Sequence, residues 1–365
     1  MKSTIFHSSA RLLAFLLLFA LVFSFAACQN TGNSSETTDE TTAGQNGENS
    51  TESTTGNGDD TPKVDASLPV HVTVLNGTTG FGMAKLMQDK ADKKAALNYT
   101  FDVQADAQNV TKALINGSTD IAALPTNAAA TVYSKTNGAV QVLALNTLGV
   151  LYVVANGDGE FASVTSMQDL VGKTVYCPAN NPAVIFSALC SASGLEVGTD
   201  IVIDTSYAEP AALRNALVDG SVEIAVLPEP MVTIAQKSNT ALKTVLDVTA
   251  IWDTCFPAGS LAQGCVVVRT EFAAAHPAEV AAFLAEYEAS IRFMQEKPAE
   301  AAEMIVAQGV FAGKAPIAAA AIPKCNVTFK AGSDMKTALK VFYETLHAAD
   351  STSVVPGDDF YYGAN

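Results

Sequence analysis

The stretch Asn76-Gly77-Thr78-Thr79-Gly80-Phe81-Gly82 places two hydroxyls among three glycines, directly after an apolar run. Glycines let the backbone approach a ligand closely, and hydroxyls both donate and accept. A helix starting here would aim free N–H groups and partial positive charge at an anionic or acceptor-rich group. The spacing is neither a dinucleotide fingerprint nor a P-loop, since no Gly-Lys-Ser/Thr follows. A plain strand-to-helix turn is the competing reading. Asn180 and Asn181 before Pro182 make a second turn of this kind, suited to ligand contact, to N-capping, or to both. Pro125-Thr126-Asn127 and Pro228-Glu229-Pro230 open two further helices. Glu229 either satisfies its helix dipole or faces a ligand bearing N–H donors or positive charge. Trp252, the single tryptophan, is either core or a stacking face in a cleft.

Catalytic and metal patterns are missing from the sequence. His71, His276 and His347 stand apart, there is no Gly-x-Ser-x-Gly elbow, and no His or carboxylate pair has metal spacing. The chain therefore reads as a binder rather than an enzyme, with no catalytic residue, metal or cofactor expected. Cys177, Cys190, Cys255, Cys265 and Cys325 show no Cys-x-x-Cys spacing. They read as small buried hydrophobes, with a Cys255–Cys265 disulfide as the alternative.

These turns need strands and helices to hold them. Apolar runs at 70–75, 121–124, 140–145, 150–154, 174–176, 201–203, 224–227 and 265–268 alternate with helical patterns at 82–93, 108–116, 182–193, 210–219 and 231–237. Short, continuously apolar strands between helices predict α/β architecture with mostly parallel sheets covered on both faces. Residues 277–349 read mainly as helices. An internal echo pairs Asn116-Gly-Ser-Thr-Asp-Ile-Ala-Ala-Leu-Pro-Thr126 with Asp219-Gly-Ser-Val-Glu-Ile-Ala-Val-Leu-Pro-Glu229. The copies lie much farther apart than a solenoid repeat of about 20–50 residues. Two similar lobes account for the echo, with chance similarity of helix–strand–helix units as the alternative. Ligands of open α/β sheets bind at the carboxyl ends of the strands, so four turns would converge on one cleft.

At the N-terminus, Lys2 and Arg11 precede an apolar run from Leu12 to Phe25, then Ala26-Ala27-Cys28. The run is shorter than the roughly 20 residues of a membrane span and has the form of a secretory signal. Cys28 reads as a lipidated N-terminus after cleavage, with an incidental cysteine behind an ordinary signal as the alternative. Residues 28–67 form a Ser/Thr/acidic stretch that cannot bury enough surface to order itself and serves as a tether. The net charge of −16 stays mostly with residues 68–365. Such acidity disfavours nucleic acid, which needs clustered Lys and Arg, and disfavours electrostatic adsorption to anionic lipid.

Four segments carry a resemblance to a known family: Ala123-Leu-Pro-Thr-Asn127, Leu145-Asn-Thr-Leu-Gly-Val-Leu-Tyr152, Asp169-Leu-Val-Gly-Lys-Thr-Val175 and Ala225-Val-Leu-Pro-Glu-Pro230. With them the chain resembles substrate-binding lipoproteins of ABC importers, of the nitrate/sulfonate/taurine and thiamine-pyrimidine type. That resemblance implies a periplasmic-binding-protein type II fold, with lobe 1 at 68–150 plus 266–365, lobe 2 at 151–265, and crossovers near 149–151 and 263–266. It implies a small sulfonate, nitrate-like anion or pyrimidine-type ligand held between the lobes, and it adds Asn146 to the candidate site. It further implies a permease and its ATPase as partners, a membrane tie through the lipid, and a monomer. No Arg occupies any of the four turns, which weighs against a bidentate grip on a sulfonate. An enzyme of pyrimidine or small-acid metabolism on the same fold, or an adhesive surface lipoprotein, are the alternatives.

Overall fold

The structure, a computed structural model, describes residues 63–364. The expected signal, Cys28 and most of the tether lie outside these residues. Eleven strands, β1 (Pro69–Leu75), β2 (Asn98–Gln104), β3 (Ile121–Pro125), β4 (Val140–Thr147), β5 (Leu151–Asn156), β6 (Thr174–Tyr176), β7 (Val202–Asp204), β8 (Ile224–Pro228), β9 (Leu242–Asp247), β10 (Gly264–Arg269) and β11 (Val327–Ala331), form two sheets among the described residues. Their helices are α1 (Thr78–Phe81), α2 (Ala84–Ala91), α3 (Ala107–Ile115), α4 (Thr126–Lys135), α5 (Asn181–Ala192), α6 (Pro210–Asp219), α7 (Met231–Ser238), α8 (Val248–Cys255), α9 (Thr270–Ala275), α10 (Pro277–Glu296), α11 (Pro298–Ala307), α12 (Ala315–Ala321) and α13 (Gly332–Ala349).

The first sheet has the order β11-β4-β10-β3-β1-β2 and the second β7-β6-β8-β5-β9. Each holds a parallel block, β2-β1-β3 or β7-β6-β8, extended by antiparallel strands. The α/β class thus stands, while strand direction is mixed in both sheets. The reason lies in the crossovers. After β4 the chain leaves the first sheet to enter the second as β5, and it returns as β10, each strand running against the direction of the parallel block it joins. Each pairs with an echoed strand: Gly264 opposite Pro125, and Leu151 opposite Pro228. β3 lies between β1 and β10 as β8 lies between β6 and β5, so the sequence echo occupies equivalent positions in two related sheets. β10 begins at Gly264, one residue ahead of the apolar run at 265–268.

Side-chain alternation with period two splits each strand between two apolar layers. Ile121 and Ala123 join Val266 and Val268 beneath α10, α11 and α12, whereas Ala122 and Leu124 join Cys265 and Val267 on the opposite face. In the second sheet Ile224 and Val226 take that same central layer, and Ala225 and Leu227 pack under α6 and α7. The central layer is shared: Ala129, Phe342 and Leu346 of α4 and α13 join Ile185, Phe186, Leu189 and Trp252 of α5 and α8. Cys177, Cys190, Cys265 and Cys325 are buried thiols as expected. Cys255 departs from that expectation: it is exposed, and it makes no disulfide with Cys265, because α8 turns its last residue outward while Cys265 sits inside the first sheet.

Candidate functional site

The two echoed corners meet at the crossovers through a chain of hydrogen bonds. Thr126 N donates to Gln263 O at 3.3 Å, and the Thr126 hydroxyl donates to Ala262 O at 2.6 Å. Val150 N donates to the Gln263 side-chain oxygen at 2.6 Å, and Glu229 N donates to Val150 O at 2.9 Å. The corner at Leu124-Pro125 is thus joined to the corner at Leu227-Pro228 through both crossovers. Gly149 is confined here: an added Cβ would lie 2.1 Å from Thr249 Oγ1 and 2.5 Å from Leu261 Cδ2. Asn326 donates its side-chain N–H to Gly149 O and accepts at its own carbonyl from Leu148 N.

Beside these corners lies a cavity of about 210 Å³ between the lobes. The first lobe supplies Asn127 and Thr131 of α4, Tyr343 and Leu346 of α13, and the segment from Asp350 to Val354; the second supplies Asn180, Asn181 and Val184. Neither α4 nor α5 has a side-chain cap at its N-terminus. Pro125 cannot cap, because it has no side-chain acceptor. Asn180 adopts φ 64°, a left-handed setting that Asn tolerates better than most residues, and its side chain makes no cap hydrogen bond. Thr126 N is taken up by Gln263 O and Pro182 has no N–H, so it is the remaining first-turn amides of the two helices, without side-chain caps, that favour acceptor groups beside the cavity. The floor is rigid, since Tyr343 is buried and its hydroxyl donates to Thr126 O at 2.8 Å.

The residues expected from the sequence divide into groups. Asn127, Asn180 and Asn181 line the cavity. Pro125, Thr126, Pro228 and Glu229 build the corners. Glu229 is buried and caps α7, accepting from Thr233 N at 3.2 Å and from the Thr233 hydroxyl at 3.0 Å. Lys324 of the first lobe stands 3.8 Å from its carboxylate. Burial raises the Glu229 pKa against the pull of Thr233 and Lys324. Asn146 is buried as a support, its carboxamide donating to Thr79 O at 2.9 Å and so fixing the short turn of α1. Asn76 donates its side-chain N–H to Gly309 O at 3.3 Å, and Thr78 is half-buried beside it; neither borders the cavity described above.

Three expectations are corrected. Phe81 is core, edge-on to Phe311 with ring centroids 6.1 Å apart. Gly80 is a packing glycine, since a Cβ there would lie 2.2 Å from Leu75 O. Trp252 is fully buried: its ring lies 4.4 Å from that of Phe256 and 6.2 Å from that of Phe342, and its N–H donates to Ser260 Oγ at 2.9 Å. It joins the lobes rather than facing a ligand. Conversely, Tyr343, Asp350 and Gln263 carried no sequence signal, because each owes its position to long-range packing. Among the described residues no cluster of His, Cys, Asp and Glu has the form of a metal site, and no helix is long and apolar enough to cross a membrane.

Two lobes joined by two crossovers, with strand ends and helix starts turned toward a cleft, define the fold of the periplasmic binding proteins. The chain belongs to the NMT1/THI5-like family, whose model matches residues 93–301, more than half of its length. The fold is similar to that of an ABC transporter structure from Parabacteroides distasonis, at 21% identity and TM-score 0.67, covering 81% of this chain and 99% of that one. It is also similar to the periplasmic aliphatic sulphonate binding protein SsuA from Escherichia coli, at 15% identity and TM-score 0.63, with 80% and 90% of the two chains covered. The alkanesulfonate-binding protein SsuA from Xanthomonas axonopodis pv. citri, bound to MOPS, aligns at 13% identity and TM-score 0.58, with 80% and 96% covered. A search of curated proteins finds no match. The resemblance read from the sequence is borne out at the level of family and fold.

Proposed function

We propose that this protein is the extracytoplasmic solute-binding subunit of an ABC importer, capturing a small polar metabolite between its lobes. The observation that carries this reading is the convergence of the starts of α4 and α5, which lack side-chain caps, with Asn127, Asn180 and Asn181, on one interlobe cavity. A volume near 210 Å³ suits a compact solute rather than a drug-sized one, whose pockets span roughly 300–1,000 Å³. Family membership and the sulfonate-binding neighbours support the role, and a sulfonate, nitrate-like anion or pyrimidine-type compound is the ligand range they suggest. Closure about residues 148–151 and 262–264 would follow from contacts that the ligand makes better in the closed state. A permease and its ATPase would receive the solute, and an acylated Cys28 would hold the monomer at the outer face of the membrane.

A thermal-shift screen of sulfonates, nitrate, pyrimidines and amino-acid derivatives tests the role. A ligand at 100 times its Kd should stabilise the protein by about 2.7 kcal/mol and be recovered chemically unaltered. Conversion of the ligand would point to the enzyme instead, and silence across the panel would overturn the binding role. The anchor has its own test: Cys28→Ala should move the protein from the membrane fraction to the soluble one, and unchanged fractionation would refute lipidation.

A further inference from the structure

The wall of the interlobe cavity contains one charged side chain, Asp350, and neither Lys nor Arg. Asp350 arrives on the segment that follows α13, and that segment is pinned. Its N–H donates to Leu346 O at 2.8 Å, and its carbonyl accepts from Ser353 N at 2.9 Å. One carboxylate oxygen accepts from Thr352 N at 2.9 Å and from the Thr352 hydroxyl at 2.8 Å. His347 Nδ1 lies 2.8 Å from Ser353 O and donates to it, since a carbonyl only accepts. Farther on, Tyr362 N donates to Val142 O at 3.0 Å, and the Tyr133 hydroxyl donates to Asp359 at 2.5 Å, tying the C-terminus to the first sheet. Asp350 therefore borders the cavity on a segment held in place on both sides.

We infer that Asp350 makes this cavity selective against anions, so that its ligand is a neutral or cationic molecule with amide-like donor and acceptor edges. The inference rests on the binding role proposed above and narrows its ligand class. Three carboxamides present donors and acceptors without net charge. The helix starts favour acceptors on the ligand but supply only partial positive charge, about half an elementary charge each at most. Against them stands the full negative charge of a carboxylate, whose ionised form the hydrogen bonds from Thr352 favour further, lowering the Asp350 pKa. A sulfonate or carboxylate would gain the helix starts and meet Asp350 without a guanidinium to offset it. An amide or amidine edge satisfies both walls: its carbonyl or ring nitrogen toward α4 and α5, its N–H toward Asp350.

Matched probes decide the matter: uracil against orotate, and nicotinamide against nicotinate, titrated by thermal shift into wild type and Asp350→Asn. Asn keeps the side-chain oxygen that Thr352 needs, so the turn survives the exchange. In wild type the neutral member of a pair should bind at least about tenfold tighter (about 1.4 kcal/mol). In Asp350→Asn that gap should narrow at least threefold, mainly because the anion gains. An anion that binds wild type as tightly as its neutral partner, or a gap unchanged in the variant, would overturn the charge selectivity while leaving the binding role intact. No response to any probe or to the wider screen would overturn the binding role, and this inference with it.

Discussion

At Gly80 a single methyl group would meet Leu75 O at 2.2 Å and the Cγ1 atoms of Val74 and Val310 at 2.8 Å. A backbone oxygen cannot step aside as a side chain can, so Gly80→Ala should cost about 1–3 kcal/mol by overpacking. Denaturant unfolding reads that loss, and wild-type stability would contradict it. Glu229 supplies a second test. Its folded pKa is raised by burial above its ordinary 4.5, so the folded state holds that proton more tightly than the unfolded one. The group therefore favours folding below pH 4.5, and this contribution is lost as pH climbs through the raised value. Gln carries no such titration, so the melting temperature of Glu229→Gln minus that of wild type should increase between pH 4 and pH 7. A difference independent of pH would refute the assignment. The chemical types of these residues were plain from the sequence, but their roles were not. Thr126 and Asn146 looked like ligand groups, yet spend their hydrogen bonds on Ala262 O and Thr79 O. Only tertiary contacts reveal such partners.

The strands most legible in the sequence are those buried on both faces, although the short edge strand β7 is legible as well. β3, β8 and β10 read as unbroken apolar runs because they lie inside their sheets, and the echo marked β3 and β8 as equivalents. Strands β2, β9 and β11 escaped notice, and all three are edges. An edge strand buries few residues, as in the polar Asn98-Tyr-Thr-Phe-Asp-Val-Gln104, so its periodicity is faint. Helix α13 was legible as a helix but not as a partner of α5. Phe342 on α13 touches Trp252 on α8 across the lobes, both fully buried. Phe342→Ala should cost about 3–5 kcal/mol and admit water to the seam. Because Trp252 is the only tryptophan, the variant's emission should move to longer wavelength, and an unmoved spectrum would contradict the seam.

Across the whole molecule, two related sheets share a central apolar layer and are coupled at their crossovers by Gln263, Val150, Thr126 and Glu229. The lobed architecture could be read from the echo, whereas the central layer could not, since it joins residues from both ends of the chain. Ligand occupancy should be visible on both lobes at once. Hydrogen exchange, measured with and without a stabilising solute from the screen, tests this most directly. Amides at 127–131, 181–184 and 343–354 should gain protection together, because the cavity is built from all three segments. Protection confined to one lobe, or absent from these segments while the protein is stabilised, would contradict a binding site between the lobes.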